Sequence, residues 1–239
     1  MKSLDHTFFL PQENLACDEA LLDLVEEGYE HEILRFWESQ RYFVVLGSSN
    51  KIHQEVFVER CEAESIPILR RHSGGGTVLQ GPGCLNFSLI LRITPDGPTR
   101  NITTTTNYIL RRHAAVLSTL LHENVEMMGS SDLTIAGRKF SGNAQRRRLK
   151  ALLFHGTLLY DFDIARIERY VKLPPKQPEY RAQRSHLEFV RNVACSAVDL
   201  KEVLREGWDA HTPIESFPAE RIEQLVAEKY SRREWNFKM

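Results

Sequence analysis

The sequence predicts an α+β chain in which a mixed β-sheet is flanked by helices, and three observations carry that expectation. Short apolar or alternating runs cluster at 32–47, 67–92 and 131–160, as neighbouring strands do. Helical periodicity appears before, between and after these clusters, so helices have apolar faces to lay against a sheet. The strict strand–helix–strand alternation of a doubly wound parallel sheet is absent. No linker-like stretch divides the 239 residues, so residues 1–239 are expected to form one domain.

In chain order, Asn14 is placed to cap a helix carrying Leu15, Leu21, Leu22 and Val25 and stopped by Gly28. The runs EILRFW and YFVVLG read as two strands joined by the polar ESQR, and a helix is expected over 54–63. PILRR, TVLQ and CLNFSLILRI read as strands around a glycine triplet. In the last of these, Leu85, Phe87, Leu89 and Leu91 alternate with Asn86, Ser88 and Ile90. A helix is expected over 103–123, with Ile109, Leu110, Val116, Leu117, Leu120 and Leu121 on one stripe. DLTIAGRKFSGNAQRR and ALLFHGTLLYDF follow as strands separated by the basic RRRLK. Gly137 falls where a tight hairpin turn belongs. LPPKQPEYRAQRSH has no periodicity and reads as a long surface loop, and the amphipathic VDLKEVLREGW and AERIEQLVAEKY close the pattern.

Bulk properties narrow the functions. Lys and Arg number 31 against 32 Asp and Glu, so no global field favours nucleic acid or membrane, and neither is an expected partner. No run of 18 apolar residues occurs, and MKSLDHTFFLPQEN lacks the apolar segment of a signal peptide. Cys17, Cys61, Cys84 and Cys195 are scattered without metal spacing, which suits reduced thiols, a cytoplasmic location and no resident metal.

Two stretches carry chemistry. RRHSGGGTVLQGPGCLNFS puts two arginines before three glycines. Gly76 and Gly81 have the spacing of a Walker loop, but Pro82 and Gly83 stand where Lys and Ser or Thr are needed. Either Gly74, Gly75 and Gly76 lie along a ligand with Arg70 and Arg71 supplying charge, or they form a glycine-rich bulge between strands. In SDLTIAGRKFSGNAQRRRLKALLFHGTLL, Lys139 stands among small residues, either as a surface hairpin lysine or as a cation that stabilises developing negative charge. Arg146, Arg147, Arg148 and Lys150 are expected on a hairpin turn, either steering an acidic partner or simply solvated.

Taken together, RRHSGGGTVLQGPGCLNFS, DLTIAGRKFSGNAQ and HGTLL, with NLACDEALL before and EKYSRREWNF after, resemble the lipoate–protein ligase family. That family lies within the larger biotin/lipoate ligase group. The likeness is to its catalytic domain without the C-terminal accessory domain. It implies a mixed sheet like the catalytic core of class II aminoacyl-tRNA synthetases. It also implies an ATP-dependent enzyme that makes lipoyl-AMP or octanoyl-AMP and passes the acyl group to a carrier-protein lysine.

On the family's pattern, Lys139 is the catalytic residue, touching the carbonyl and phosphate oxygens of the adenylate. Arg71 faces the phosphate side, Asp132 holds the lysine or the adenine end, and His155 supports the pocket. Ser73, Gly74, Gly75, Gly76, Thr77, Asn86, Gly142, Ala144 and Gly156 complete the acyl-adenylate site. The resemblance implies ATP, Mg2+ and lipoate as substrates and ion, with no tightly bound cofactor. It implies a lipoyl carrier domain (an E2 subunit or the glycine cleavage H protein) as partner, and a separate accessory-domain subunit as a further one. Gln80-Gly81 departs from the family's usual His-Asp after the glycines.

The same fold hosts octanoyltransferases that carry the acyl group on a cysteine. Their two cysteine positions correspond here to Leu152 and to the region of Asn124, and Cys17 and Cys84 match neither. An octanoyl-[acyl carrier protein]:protein octanoyltransferase and a non-catalytic acyl-carrier binder stand as alternatives. Biotin ligation fits the glycine triplet less well.

Overall fold

A computed structural model describes residues 1–238. Eleven strands are present among them: β1 Lys2–Asp5, β2 Ile33–Trp37, β3 Phe43–Leu46, β4 Ile68–Arg70, β5 Val78–Gln80, β6 Cys84–Arg92, β7 Val125–Met128, β8 Asp132–Ile135, β9 Arg138–Arg147, β10 Ala151–Leu159 and β11 Thr212–Pro213. The helices are α1 Pro11–Glu26, α2 Ile52–Glu55, α3 Val58–Ala63, α4 Ile102–Leu121, α5 Ala165–Tyr170, α6 His186–Phe189, α7 Ala197–Trp208, α8 Ala219–Leu225 and α9 Arg233–Asn236. A π-helical turn, Val226–Tyr230, continues α8. The expected mixed sheet flanked by helices is what forms.

The main sheet runs β11-β1-β2-β6-β10-β9-β8-β7, and a second runs β4-β3-β5. Strands β6 and β10 pair antiparallel over nine residues, from Cys84↔Leu159 to Arg92↔Ala151. Both faces of β6 are covered, which is why it reads as an almost unbroken apolar run. Leu85, Phe87, Leu89 and Leu91 join Leu110, Leu117, Leu200, Leu204 and Trp208 in a core beneath α4 and α7. Ile90 faces the opposite way into a core with Leu15, Leu21 and Leu22 of α1 and Ile222 and Leu225 of α8.

Several local expectations are corrected. Helix α1 begins at Pro11, where a fixed φ suits the first helical position, and Asn14 lies inside it, fully buried. The Asn14 side chain accepts from Phe8 N at 3.0 Å and from Arg35 Nη2 at 3.0 Å, bracing the entry to the helix. Strands β2 and β3 do not pair with each other. β2 joins the main sheet and β3 the small one, so the segment between them crosses from layer to layer. The helix expected over 54–63 is broken into α2 and α3. Arg146 and Arg147 lie in β9 rather than in a turn, and Arg147 Nη2 donates to Thr99 O at 2.7 Å beside the start of α4. Arg148 pairs with Asp23 at 2.8 Å.

Candidate active site

The β8–β9 hairpin turns at Ala136 and Gly137, whose φ values of 49° and 70° are both left-handed, as a two-residue turn requires. Register then slips by one residue. Asp132 faces Gly142 and Leu133 faces Ser141, but Thr134 faces Lys139. Phe140 is the extra residue, turned into the core and fully buried. Because opposed residues share a face and faces alternate along a strand, this bulge puts Lys139 on the same side as Asp132, Gly142 and Ala144. An unbulged hairpin would have sent the lysine to the other side.

The consequence is an ion pair on the cavity floor. Lys139 Nζ lies 2.7 Å from Asp132 Oδ1, with the lysine side chain 27% exposed. Tyr180 donates its hydroxyl to Asp132 Oδ2 at 2.7 Å, so both carboxylate oxygens are held. The lysine lies across Gly142, where a Cβ would stand 2.7 Å from Nζ. One strand over, His155 faces Ala144, and Gly156 faces Asn143 with no room for a Cβ, which would meet Asn143 Oδ1 at 1.9 Å.

The glycine ribbon forms the facing wall. Gly75 has φ 89°, and a Cβ there would meet Arg71 Nη2 at 2.8 Å, so this glycine is required twice over. A Cβ at Gly74 or Gly76 would meet no protein atom within 4 Å, so these positions are open rather than crowded. Arg71 braces the ribbon: Nη2 donates to Gly74 O at 2.6 Å and to Gly76 O at 2.8 Å. Burial lowers its pKa to about 10, which leaves it charged at neutral pH. Thr77 donates to Glu55 Oε2 at 2.6 Å. From behind, Asn236 Oδ1 accepts from Arg70 N at 2.9 Å, Trp235 Nε1 donates to Arg70 O at 2.7 Å, and Arg70 Nη2 donates to Lys238 O at 2.7 Å.

These walls enclose a cavity of about 480 Å³. Lys139, Asp132, Arg71, Gly75, Gly76, Thr77, Asn86, Gly142, Ala144, His155 and Gly156 all line it. Ser73 and Gly74 are not on its wall: Ser73 is fully buried behind the ribbon, its Oγ 2.6 Å from His155 Nε2. Gln80 takes the place where His-Asp was expected. It is locked to Asn86 by reciprocal amide bonds of 2.8 and 2.9 Å on the cavity wall.

Two parts of the wall escaped sequence reasoning. Leu15, Trp37, Val45 and Val78 line an apolar portion drawn from four elements, α1, β2, β3 and β5. Lys176, Arg181 and His186 come from the proline- and arginine-rich segment expected to be a surface loop, and Lys172 directly precedes it. That segment is instead tied down, since Arg184 Nη2 donates to Gly137 O at 3.0 Å and Tyr180 donates its hydroxyl to Asp132 Oδ2 at 2.7 Å. Arg181 is only 4% exposed. The lining therefore holds the cations Arg71, Lys139, Lys172, Lys176 and Arg181 against the carboxylates Glu55 and Asp132. A cavity with an apolar portion and a cationic portion suits an acid with an alkyl chain joined to, or set beside, a phosphate.

Burial works against a thiolate at each of the four cysteines. Burial pushes the Cys17 thiol up to about 11, and it raises Cys61 and Cys195 to about 11 as well. Cys84 lines the cavity, but burial raises its pKa further, and its Sγ is spent on Gln80 Oε1 at 3.3 Å.

Comparison with known proteins gives the class. The lipoyl protein ligase A/B catalytic domain matches residues 10–210, and the chain belongs to that family. Lipoate–protein ligase 1 of Staphylococcus aureus is 28% identical over 241 residues, covering 95% of this chain and 70% of that protein. Octanoyltransferase LipM of Carboxydothermus hydrogenoformans is 28% identical over 268 residues, covering 98% and 97%. In structure, the bi-partite lipoate protein ligase of Thermoplasma acidophilum superposes with a TM-score of 0.84 at 24% identity, covering 99% of this chain and 95% of that one. That likeness bears on the fold.

Proposed function

We propose that this chain, residues 1–239 acting as one catalytic domain, is an ATP-dependent lipoate–protein ligase. In this reading it forms lipoyl-AMP or octanoyl-AMP and transfers the acyl group to a carrier-protein lysine. The observation that carries the reading is the Lys139–Asp132 pair on the floor of a cavity that is apolar on one part and cationic on another. The alkyl chain lies against Leu15, Trp37, Val45 and Val78, and the nucleotide phosphates lie toward Lys172, Lys176 and Arg181.

A free carboxylate is a poor acyl donor. Its oxygen attacks the α-phosphorus of ATP, pyrophosphate leaves, and the mixed anhydride then has AMP as a leaving group. The carrier lysine attacks the acyl carbon, loses its proton and releases AMP. In both halves negative charge builds on oxygens within reach of one cation, and Lys139 stabilises it. Asp132, itself fixed by Tyr180, keeps the amine in place. Magnesium, arriving with the polyphosphate, would supply charge neutralisation there, with Glu55 the carboxylate on the wall outside the Lys139 and Tyr180 grip on Asp132.

The lipoate ligase relatives, and a structural neighbour described with its E2 lipoyl domain, support a lipoyl carrier domain as partner and a second subunit as a further one. Among the described residues no helix is long and apolar enough to cross a membrane, and with four free cysteines this supports a cytoplasmic setting.

The second reading is an octanoyltransferase, favoured by the near full-length match to LipM and by Cys84 on the cavity wall. One experiment separates the two. A lipoyl carrier domain is incubated with the protein plus ATP and lipoate, or plus octanoyl-[acyl carrier protein] without ATP, and its mass is measured. A lipoyl mass gain that requires ATP is expected; a gain only from the octanoyl donor selects the transferase.

A further inference from the structure

Behind the glycine ribbon runs a short chain of hydrogen bonds whose proton positions are determined by what each group is able to do. Arg71 Nε shares its proton between Gly74 O at 3.0 Å and Ser73 Oγ at 3.1 Å, and a guanidinium nitrogen offers no lone pair, so toward Arg71 the serine is an acceptor. Ser73 is fully buried, and among the described residues its Oγ has one other partner, His155 Nε2 at 2.6 Å. The hydroxyl proton must therefore go to Nε2, since nothing else nearby accepts it. A proton already on Nε2 would leave the buried Ser73 hydroxyl with no acceptor.

Burial, with the positive Arg71 alongside, holds the His155 imidazole well below the usual histidine range, so the ring is neutral at pH 7. A neutral ring with a lone pair on Nε2 carries its proton on Nδ1. Nδ1 has no acceptor among the described residues, and the ring lines the cavity. Its strand partner is Ala144, two residues from the glycine that lies under the Lys139 amine.

We infer that Arg71 and Ser73 act as positioning residues that lock His155 as a neutral Nδ1–H donor, which together with Lys139 brackets the acyl carboxyl group above Gly142 and Ala144. The neutral form matters. A further full positive charge would tighten the ground-state carboxylate and blunt its attack on phosphorus, whereas a neutral N–H orients one oxygen and leaves the other free to react. Ser73 thus serves the site without touching the ligand, which explains a fully buried hydroxyl directly behind a substrate wall. The identity of the bracketed group rests on the ligase reading; the tautomer does not.

The test has two arms on the full chain. With histidine labelled by 15N, long-range proton–nitrogen spectra at neutral pH and without ligand identify the protonated nitrogen of His155, assigned by comparison with His155→Gln. The expected result is protonated Nδ1 and bare Nε2 in the wild type and in Ser73→Thr, with that preference lost in Ser73→Ala. In the kinetic arm, Ser73→Ala is expected to lower kcat for ATP-dependent acyl transfer by about tenfold with KM for ATP unchanged, part of the ~10²-fold that losing one oxyanion donor costs. Ser73→Thr is expected to recover most of it.

A protonated Nε2 or an imidazolium in the wild type overturns the inference, as does a Ser73→Ala enzyme with unchanged kcat. If Ser73→Ala does not fold, Ser73→Cys, close in size but a weak donor, replaces it in both arms. A wild-type protein showing the Nδ1 proton but no ATP-dependent transfer sinks the ligase reading and leaves the tautomer standing. An active enzyme with the proton on Nε2 does the reverse.

Discussion

Lys139 and Asp132 meet at 2.7 Å because one surplus residue, Phe140, interrupts the pairing between their strands. The spacing Lys-x-x-Gly-x-Ala places an odd number of steps between two residues that must share a face, and only a bulge satisfies it. The ion pair is thus a product of strand register as much as of charge.

Replacing the amine tests that pair directly. Lys139→Ala is expected to reduce ATP-dependent lipoyl transfer by at least ~10²-fold, the scale seen when one preorganised donor is removed from a charged transition state. The lysine is partly exposed, and Tyr180 still holds Asp132, so the thermal midpoint should move little. Mass spectrometry of the carrier domain and a thermal melt together check both halves.

Gly142→Ala probes placement with the charge left intact. The new methyl would stand 2.7 Å from Lys139 Nζ and 2.8 Å from Cε, the far end of a flexible side chain. The fold accommodates this by moving the amine, and displacement of about 1 Å costs on the order of 10²-fold in rate. Turnover falls while the unfolding midpoint stays near wild type; a variant with normal turnover would mean that the amine is not needed where it lies.

Gly47→Ala attacks the ribbon from behind. A Cβ there would come 2.2 Å from Gly75 O, a backbone atom of the residue held at positive φ. The ribbon has to shift, so both stability and substrate affinity should suffer, with stability lower by about 1–3 kcal/mol in urea titrations.

Cys84→Ala separates the two catalytic readings. Ligation does not use this thiol, so the variant should keep its ATP-dependent activity within a few-fold, measured by the same mass gain. Complete loss of activity together with independence from ATP would instead mark Cys84 as an acyl carrier.

Acid sensitivity follows from the buried histidines. Burial lowers the pKa of His113 from 6.5 to about 3, and Trp208 Nε1 donates to its Nε2 at 2.8 Å. Between those two values only the unfolded chain takes up the proton, so this contribution to stability is complete above about pH 6.5 and declines as pH falls toward 3. His72 and His155, held low by burial and nearby cations, act in the same direction. Unfolding free energy should fall below pH 6.5 with up to about 1.4 kcal/mol per pH unit from each of them. His113→Gln, which keeps an acceptor for Trp208, should make the slope shallower.

The long central strands were legible because alternation and length agree. β6 and β9 stand close to where the pattern put them, and α4, expected over 103–123, runs from Ile102 to Leu121. Strands β1, β7 and β11 were not, since KSLD, VEMM and TP are too short to show a period. The separation of β2 from β3 was hidden because a short polar connector reads the same whether it turns back or crosses between sheets. For the site, Lys139, Asp132 and the ribbon came from local motifs, whereas the cationic wall at Lys176 and Arg181 lies in a segment without periodicity, held to a distant hairpin by the side chains of Arg184 and Tyr180. Ser73 shows the limit of motif reading: it stands two letters from Gly75, yet lies buried behind the wall that Gly75 lines.

The grip of Asn236, Trp235 and the Lys238 carbonyl on Arg70 links the end of the described chain to a ribbon 166 positions earlier. During synthesis, both large cores have their strands in hand well before that grip is possible. The wall facing Lys139 thus acquires its backing only after residue 238 has left the ribosome, later than the strands that carry the ion pair it faces.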